Sequence, residues 1–305
     1  MSYLEDITVL IPVKNEEEAI GRVLDEVLSV GIPKERVIVV DGHSTDGTAE
    51  IVKSRGVVLV EQEGDGKSDA LRTGLRRVST KYVLVMDGDY TYPAKFIPIL
   101  LKEAKERGIS FVSGKRVYGR ENIPILNRLG NWLLTNLFNV LIGGNLYDVC
   151  TGMYLLNIDE FRDMLFETKN FSIEVELAAH VVGEGIPYYE YGIEYRKRLG
   201  RKKLTAFSGL QIAIDIIRLA WRYSPVTMLL TCASTIVIPG LIIGGYVAYH
   251  YFFTGINYYV KGLVAVFLTI AGLQTFMLAI LSMYLKRMEL RIRRLIKELI
   301  NRSSA

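Results

Sequence analysis

Two aspartates separated by one glycine, Asp87 and Asp89, are the residues of this sequence best suited to hold a metal ion. They follow the apolar run 82–86, which has the composition of a buried strand. Carboxylates at positions i and i+2 of extended backbone point the same way, and Gly88 lets a ligand approach the chain. Two adjacent negative charges indicate Mg²⁺ or Mn²⁺, hard cations that also bind phosphate oxygens. On this pair alone, an ordinary turn after a strand is an equal alternative.

The elements around this pair alternate between strand and helix. Apolar strands are predicted at 7–13, 36–40, 57–60 and 81–86, with helices between them and a further strand at 109–113. Such alternation predicts the α/β class, with a parallel, doubly wound sheet joined by right-handed crossovers. The polar residues after each strand then share one edge of the sheet. They include Ser44 after the second strand and Lys67 after the third, where a glycine-containing loop could cradle a phosphate.

The distribution of charge divides the chain of 305 residues into two parts. Residues 1–194 hold 21 Lys and Arg against 30 Asp and Glu, whereas residues 195–305 hold 16 against 3. This asymmetry argues against nucleic-acid binding and suits a soluble domain attached to an anionic membrane surface. The only two cysteines, Cys150 and Cys232, form neither a disulfide framework nor a zinc motif. The N-terminus lacks the pattern of a signal peptide, so the front domain, residues 1–204, is expected in the cytoplasm.

The last third of the chain predicts attachment to a membrane. Residues 205–223 form an amphipathic helix suited to the membrane interface, with an apolar stripe of Phe207, Leu210, Ile214, Ile217 and Trp221. Residues 223–260 and 262–285 contain no Asp, Glu, Lys or Arg, and each stretch can cross a hydrocarbon core of about 30 Å. We therefore expect a transmembrane hairpin over 224–286, with helices at about 225–253 and 262–285. The basic tail, 287–305, places both ends of the hairpin in the cytoplasm by the positive-inside rule.

Two further groups of charged residues are candidates for the site. Glu174 and Glu176 face the same way if their segment is a strand, but diverge if it is a helix, so that only one can then face the site. Six cations occupy the eight positions from Arg196 to Lys203. They form either a solvated or headgroup-binding patch or a clamp for phosphate, which the planar fork of arginine binds through two hydrogen bonds.

Together, these motifs resemble those of the inverting family 2 glycosyltransferases of the GT-A fold. The resemblance is to the polyprenyl-phosphate branch, the dolichyl-phosphate mannose and glucose synthases, and within it to archaeal members that serve N-glycosylation. The motifs that carry it lie between residue 7 and about residue 204, at 12–16, 41–48, 87–89, 151–152, 174–176, 195–198, 200 and 203–204.

The resemblance implies a role for each motif residue. The nucleotide would be bound by Pro12, Asn15, Glu16 and Asp41, and we add Ser44, Lys67 and Asp87, which also follow strands, to the predicted nucleotide-binding residues. The metal, Mg²⁺ or Mn²⁺, would be bound by Asp87 and Asp89. The catalytic set, which includes the arginines and the lysine that would meet the acceptor and donor phosphates, is Asp89, Arg116, Arg128, Glu174, Glu176, Arg196, Arg198 and Lys203. The chain departs from the family at Gly42, Tyr154 and Lys202. These departures leave open which nucleobase the donor carries and which residues contact the lipid phosphate.

The implied reaction is the metal-dependent, inverting transfer of a hexose from UDP-glucose, UDP-N-acetylglucosamine or GDP-mannose to dolichyl or polyprenyl phosphate. A lipid phosphate is largely ionised at neutral pH, since its second pKa is about 6, so the enzyme mainly has to position it. One alternative is a processive or sugar-acceptor membrane glycosyltransferase, although neither Trp132 nor Trp221 follows the arginine of the Gln-Xaa-Xaa-Arg-Trp segment normal in processive synthases. The other is a catalytically silent membrane scaffold, against which the intact Asp87 and Asp89 argue. The oligomeric state is left open.

Overall fold

The structure is a computed structural model that describes residues 4–161, 164, 166–168, 172–200 and 206–303. Lys203 and Lys202 lie outside the described residues. The chain divides into two compact units, the first formed by Met1–Asn139 and Gly144–Leu219 and the second by Val140–Gly143 and Ala220–Ala305.

The first unit is built on a seven-stranded sheet of order β3-β2-β1-β4-β6-β5-β7. The strands are β1 Ile7–Val13, β2 Val37–Asp41, β3 Val58–Glu61, β4 Tyr82–Val85, β5 Phe111–Tyr118, β6 Tyr154–Asn157 and β7 Tyr188–Glu194. The first four are parallel, as predicted, and β7 is parallel to β5. β6 runs antiparallel to both of its neighbours, so the sheet is mostly parallel and not wholly so.

Seven helices accompany this sheet in the part of the chain that the structure describes up to residue 200. They are α1 Ile20–Ser29, α2 Thr48–Arg55, α3 Lys67–Leu75, α4 Ile97–Arg107, α5 Ile125–Ile142, α6 Ile158–Phe161 and α7 Ile173–Gly183. Alternate residues of β1 enter opposite cores: Ile7 and Val9 pack in the cluster that contains residues of α1 and α4, whereas Leu10 packs in the cluster that contains residues of α3 and α7. Burial on both faces explains why the parallel strands are almost continuously apolar.

The register of the parallel strands aligns their carboxyl ends. Val13 of β1 pairs with Asp41 of β2, and Asp41 pairs with Glu61 of β3. On the other side, Leu10 of β1 pairs with Val85, the last residue of β4. The loops that carry the predicted site residues therefore leave the sheet at one edge, as expected for an α/β sheet.

Helix α8, Ala206–Tyr223, covers the segment for which the sequence predicts an amphipathic helix. Its apolar residues Leu210, Ile214, Ile217 and Trp221 are between 44% and 60% exposed, as an interfacial helix requires. Asp215 of the same helix is buried and accepts a hydrogen bond from the Ser172 hydroxyl at 2.6 Å. The face of α8 that carries Asp215 therefore packs against residues of the first unit.

The second unit contains two long apolar helices, α9 Pro225–Phe253 and α10 Tyr259–Ser303. Both are long and apolar enough to cross a membrane, over Pro225–Phe253 and Tyr259–Glu289. They pack closely at two glycines: a Cβ on Gly240 would lie 2.8 Å from the Thr269 hydroxyl, and one on Gly272 would lie 2.2 Å from a methyl group of Val237. The basic tail, expected as a separate segment, continues α10 as far as Ser303.

Candidate active site

Asp89 lies in the turn after β4, where the sequence predicts it. The turn is tight because Tyr90 adopts a left-handed φ of 71°. One oxygen of Asp89 accepts hydrogen bonds from the backbone N–H of Thr91 at 3.1 Å and from its hydroxyl at 2.5 Å. The other oxygen accepts a hydrogen bond from Arg198 at 2.8 Å. The side chain of Asp89 is only 8% exposed, so its charge depends on these contacts.

Lys67 connects Asp87 to a glutamate of a helix that is distant in the sequence. Its ammonium group donates to Asp87 at 2.5 Å and to Glu174 of α7. Burial alone would lower the pKa of Lys67, but the charges of Asp87 and Glu174 outweigh burial and hold that pKa well above its usual value. Burial raises the pKa of Glu174, and the charge of Lys67 opposes that rise. Lys67, proposed from a weak loop signal, is therefore an integral part of the site.

Arg198 closes the site from the segment that follows β7. Its guanidinium donates to Glu16 at 2.5 Å and to Asp89 at 2.8 Å. The segment is held along the β4 loop by backbone hydrogen bonds from Arg196 to Thr91 at 2.9 Å and from Leu199 to Asp89 at 3.2 Å. We call the resulting group the carboxylate cluster; it consists of Glu16, Asp87, Asp89 and Glu174 with the cations Lys67 and Arg198.

The carboxylate cluster fits a divalent cation. Its four carboxylates outnumber its two cations, and the pKa of Asp89 is raised by burial and by the neighbouring charge of Asp87. Among the described residues there is no group of three or more His, Cys, Asp or Glu side chains arranged to hold a metal by itself. This donor set suits Mg²⁺ or Mn²⁺, because such ions are commonly bound by one or two carboxylates together with water and the phosphate oxygens of a substrate.

Asn15, Asp41 and Ser44 form a second group of contacts at the ends of β1 and β2. Ser44 donates to Asp41 from its backbone N–H at 3.0 Å and from its hydroxyl at 2.5 Å. The backbone N–H of Asn15 donates to the Ser44 hydroxyl at 2.8 Å, and Asn15 holds a left-handed φ of 51° that its residue type tolerates. The structure thus brings together three of the seven residues predicted to bind the nucleotide.

A cavity of about 290 Å³ is lined by the carboxylate cluster, and we call it the acidic cavity. Its walls include Pro12, Lys14, Gly42, Gln62, Lys67 and the carboxylates of the cluster. Asn15, Asp41 and Ser44 do not line it themselves, but the adjacent residues Lys14 and Gly42 do. The predicted nucleotide-binding residues therefore form either the wall of one cavity or the layer that supports that wall.

Arg116 is fixed by a buried carboxylate that the sequence analysis did not select. Its Nε donates to Asp148 Oδ2, and its Nη2 donates to Asp148 Oδ1, each at 2.6 Å, with both side chains less than 10% exposed. The guanidinium also lies 5.4 Å from the centre of the Tyr195 ring. Arg116 cannot change position without leaving Asp148 uncompensated, so it is a rigid element of the site.

A second cavity, of about 460 Å³, adjoins the first, and we call it the arginine cavity. It is lined by three arginines, four asparagines and aromatic side chains, namely Arg116, Arg120, Arg128, Asn131, Asn136, Asn139, Asn145, Trp132 and Tyr147. Within the described part of the chain, the guanidinium of Arg128 makes no ion pair. Arg116, Ile123 and Asn131 line both cavities, so an anion in one would lie next to a ligand in the other.

Two of the predicted catalytic residues lie outside this arrangement. The segment with the two glutamates is helical, so Glu174 and Glu176 diverge. Glu176 is fully buried and accepts hydrogen bonds from the backbone N–H groups of Glu167 at 2.7 Å and Thr168 at 2.9 Å. Arg196 is paired with Glu26 of α1 at 2.6 Å and lies over the ring of Tyr90. Lys203 lies outside the described residues.

The residues that sequence reasoning missed serve mainly as partners. Asp148 fixes Arg116, Glu26 holds Arg196, and the Tyr92 hydroxyl accepts a hydrogen bond from the backbone N–H of Gly152 at 2.6 Å. Asp148 stands 32 residues from Arg116, and no periodicity links them. Only Thr151 and Gly152, which form one of the family motifs, gave a signal that this segment belongs to the site.

A family model and curated relatives match this chain. The model described as Glycosyl transferase family 2 matches residues 8–165. A dolichyl-phosphate hexose transferase of Haloferax volcanii is 34% identical over 206 residues, which cover 67% of this chain and 89% of that protein. Glycosyltransferase AglJ of the same organism is 29% identical over 282 residues, which cover 90% and 92% of the two chains.

Solved structures share the fold. The glucosyl-3-phosphoglycerate synthase of Mycobacterium tuberculosis, in complex with phosphoglyceric acid, superposes with a TM-score of 0.57 at 22% identity, covering 71% of this chain and 79% of that one. The same enzyme in complex with Mn²⁺, UDP and phosphoglyceric acid gives a TM-score of 0.55, covering 70% and 76%. These neighbours have the GT-A fold, which confirms the predicted fold class for the first unit.

Proposed function

The chain belongs to glycosyl transferase family 2, and we propose that it transfers a hexose from a nucleotide-sugar to dolichyl or another polyprenyl phosphate. That it is a glycosyltransferase follows from the family; the donor and the acceptor are the proposal. The observation that carries it is the contact between the two cavities at Arg116, Ile123 and Asn131. One cavity offers carboxylates for a metal and a diphosphate, and the other offers arginines for a second anion.

The acidic cavity suits a nucleotide-sugar donor. We assign the nucleoside to the ends of β1 and β2, at Pro12, Asn15, Glu16, Asp41 and Ser44. Asp87 and Asp89 would hold Mg²⁺ or Mn²⁺, which when bound offsets the charge of the departing nucleoside diphosphate. Lys67 and Arg198 already lie within hydrogen-bond distance of these carboxylates, so they stand where the diphosphate would be bound.

The arginine cavity suits the phosphate of the acceptor. Because Asp148 already compensates the charge of Arg116, Arg120 and Arg128 are the arginines that would supply net positive charge to this phosphate. The acceptor is ionised at neutral pH, so its oxygen can attack C1 of the sugar without giving up a proton. The bond from C1 to the diphosphate oxygen breaks as the new bond forms on the opposite face, which inverts C1.

Glu174 is a positioning residue in this mechanism. It is bound to Lys67 and buried, and the reaction as written has no proton for it to remove. Its role is to hold Lys67 toward Asp87. Catalysis then rests on placing two anions side by side and offsetting their repulsion. Lys203 could add a further cation, as the sequence resemblance implies.

A membrane location supports a lipid acceptor. The two candidate spans and the exposed apolar residues of α8 suit a chain that crosses the membrane twice and also lies on its surface. We place the first unit on the cytoplasmic side, because residues 286–305 hold seven cations against two acids.

The test uses the full chain in detergent with short-chain dolichyl phosphate, Mn²⁺ or Mg²⁺, and radiolabelled UDP-glucose, UDP-N-acetylglucosamine and GDP-mannose in separate reactions. We expect label to enter the organic phase with one donor. Asp89→Ala should reduce this transfer at least about 100-fold, whereas Asp25→Ala, in an exposed ion pair with Arg55, should not. Label that stays in the aqueous phase with every donor would refute the lipid-phosphate acceptor and direct the search to sugar acceptors.

A further inference from the structure

Gln62 is a buried polar residue of the acidic cavity for which the mechanism above has no use. It follows β3, is 4% exposed, and still forms part of the cavity wall. Its backbone N–H donates to the carbonyl of Asp41 at 3.0 Å, and its side-chain Nε2 donates to the carbonyl of Gly64 at 2.5 Å. The contact with a carbonyl fixes which end of the amide is nitrogen. Among the hydrogen bonds of the described residues, none is made to Gln62 Oε1.

The turn that holds Gln62 is fixed from several sides. The carbonyl of Gly64 also accepts a hydrogen bond from His43 Nε2 at 3.2 Å, and the N–H of Gly64 donates to Asp69 at 2.6 Å. Gly42 lies on the other side of the Gln62 amide. A Cβ at that position would approach Gln62 Oε1 and the carbonyl of Val13 at 3.2 Å. The absence of a side chain at Gly42 therefore leaves Oε1 open to the cavity in a preorganised position.

The strand order places Gln62 at the nucleoside end of the cavity. Passing along the sheet edge from Asp87 and Asp89 at β4, one crosses β1 and β2 before reaching β3 and Gln62. Neighbouring strands lie about 4.8 Å apart, so β4 and β3 are separated by roughly 14 Å. A nucleoside diphosphate whose phosphates lie at β4 thus directs its base toward β3. This step rests on the proposed function.

We propose that Gln62 recognises the base of the donor and selects uracil or guanine. Its Oε1 can only accept a hydrogen bond. Uracil presents the N3–H group and guanine the N1–H group to such an acceptor, whereas cytosine N3 and adenine N1 present a lone pair that repels it. A buried acceptor left facing a lone pair loses its hydrogen bond and remains desolvated, which is an effective basis for rejection.

The first test measures the binding of UDP, GDP, CDP and ADP to the full chain in detergent with Mg²⁺ or Mn²⁺, by calorimetry. We expect UDP or GDP to bind at least about tenfold more tightly than CDP and ADP. Gln62→Met keeps the length of the side chain and removes its hydrogen bonds, so it should bring these affinities to within about threefold of each other. The matched control is Glu63→Gln, whose carboxylate pairs with Arg76 on the surface; it should keep the preference.

A second test changes the ligand and leaves the protein intact. Methylation of UDP at N3, or of GDP at N1, removes the ring N–H group and should weaken binding to the unmodified protein at least about tenfold. The same methylation should reduce the affinity of the Gln62→Met variant by a smaller factor. Equal binding of all four nucleotides, or a preference that survives Gln62→Met, would overturn the proposal for Gln62 alone. Failure of every nucleotide to bind would also refute the proposal that the donor is a nucleotide-sugar. If UDP and GDP differ in affinity, the tighter one identifies the base of the donor.

Discussion

Replacing Asp148 with asparagine should destabilise the first unit far more than the same change in an exposed ion pair of similar geometry. Asp148 and Arg116 are joined by two hydrogen bonds of 2.6 Å, and both side chains are less than 10% exposed. Burial alone would raise the pKa of Asp148, but the charge and hydrogen bonds of Arg116 outweigh burial and hold that pKa below its usual value. Asparagine keeps the shape of Asp148 and removes its charge.

The expected magnitude follows from burial. Leaving a buried guanidinium without its carboxylate costs about 3–5 kcal/mol, and each kcal/mol lowers the melting temperature of a domain of this size by about 2–4 °C. Asp148→Asn should therefore lower the melting temperature by about 6–20 °C. Arg55 holds Asp25 through the same two-atom fork, at 2.7 and 3.1 Å, but these side chains are 37% and 57% exposed. Asp25→Asn should shift the melting temperature by no more than about 4 °C.

The assay is thermal unfolding of the full chain in detergent, followed by circular dichroism at neutral pH and again under acidic conditions. The folded pKa of Asp148 is depressed, so its contribution to stability is present above the unfolded value of about 3.9 and is lost as the pH falls through the folded value. The difference in melting temperature between the original protein and Asp148→Asn should therefore be smaller under acidic conditions. Equal melting temperatures for Asp148→Asn and Asp25→Asn would refute the argument from burial.

Three further predictions concern residues around the acidic cavity. Glu176→Gln should lower the melting temperature without changing the KM for the donor, because Glu176 only accepts hydrogen bonds within the fold, whereas Glu174→Gln should lower kcat by releasing Lys67. Gly152→Ala should raise the metal concentration needed for half-maximal activity, since its Cβ would lie 2.1 Å from Asp87 Oδ2, while Gly130→Ala, with no neighbour within 4 Å, should not. His43 lies between two acceptors, Glu61 and the Gly64 carbonyl, so both ring nitrogens donate only when the ring is protonated. The hydrogen bond to Glu61 raises the pKa of His43 above 6.5, so this support of the Gln62 turn is present below about pH 6.5 and is lost as the pH rises through the raised value. The KM for the donor should therefore increase with pH in the original protein, and less so in His43→Ala.

The first half of the fold could be predicted from the sequence because its signals are local. The first four strands are short apolar runs, each followed by polar residues and a helical pattern, and the structure confirms them. β6 and β7 were not predicted. β6 has only four residues, Tyr154–Asn157, and β7 contains two glutamates and a glycine in seven positions, Tyr188–Glu194. These strands form because the growing sheet offers an edge with which they can pair, and a local pattern does not contain that information.

The candidate site was predictable to a similar degree. Asp87, Asp89, Asp41 and Lys67 follow strands, so topology alone brings them to one edge. The pairing of Arg116 with Asp148 depends instead on where β5 and a loop meet in three dimensions. The directions of Glu174 and Glu176 depend on whether their segment is helical or extended, which the local pattern leaves open; in the structure it is the helix α7, and only Glu174 lines the acidic cavity.

The balance of charge in the carboxylate cluster constrains the order of events in the proposed reaction. Four carboxylates face two cations, and burial raises the pKa of both Asp89 and Glu174. A diphosphate entering alone would add negative charge to a buried site in which repulsion is poorly screened by solvent. A divalent cation entering alone would find few protein ligands. The cation offsets the charge of the diphosphate, and the diphosphate provides oxygen ligands for the cation. The donor and the cation are therefore expected to bind together before the acceptor phosphate enters the arginine cavity.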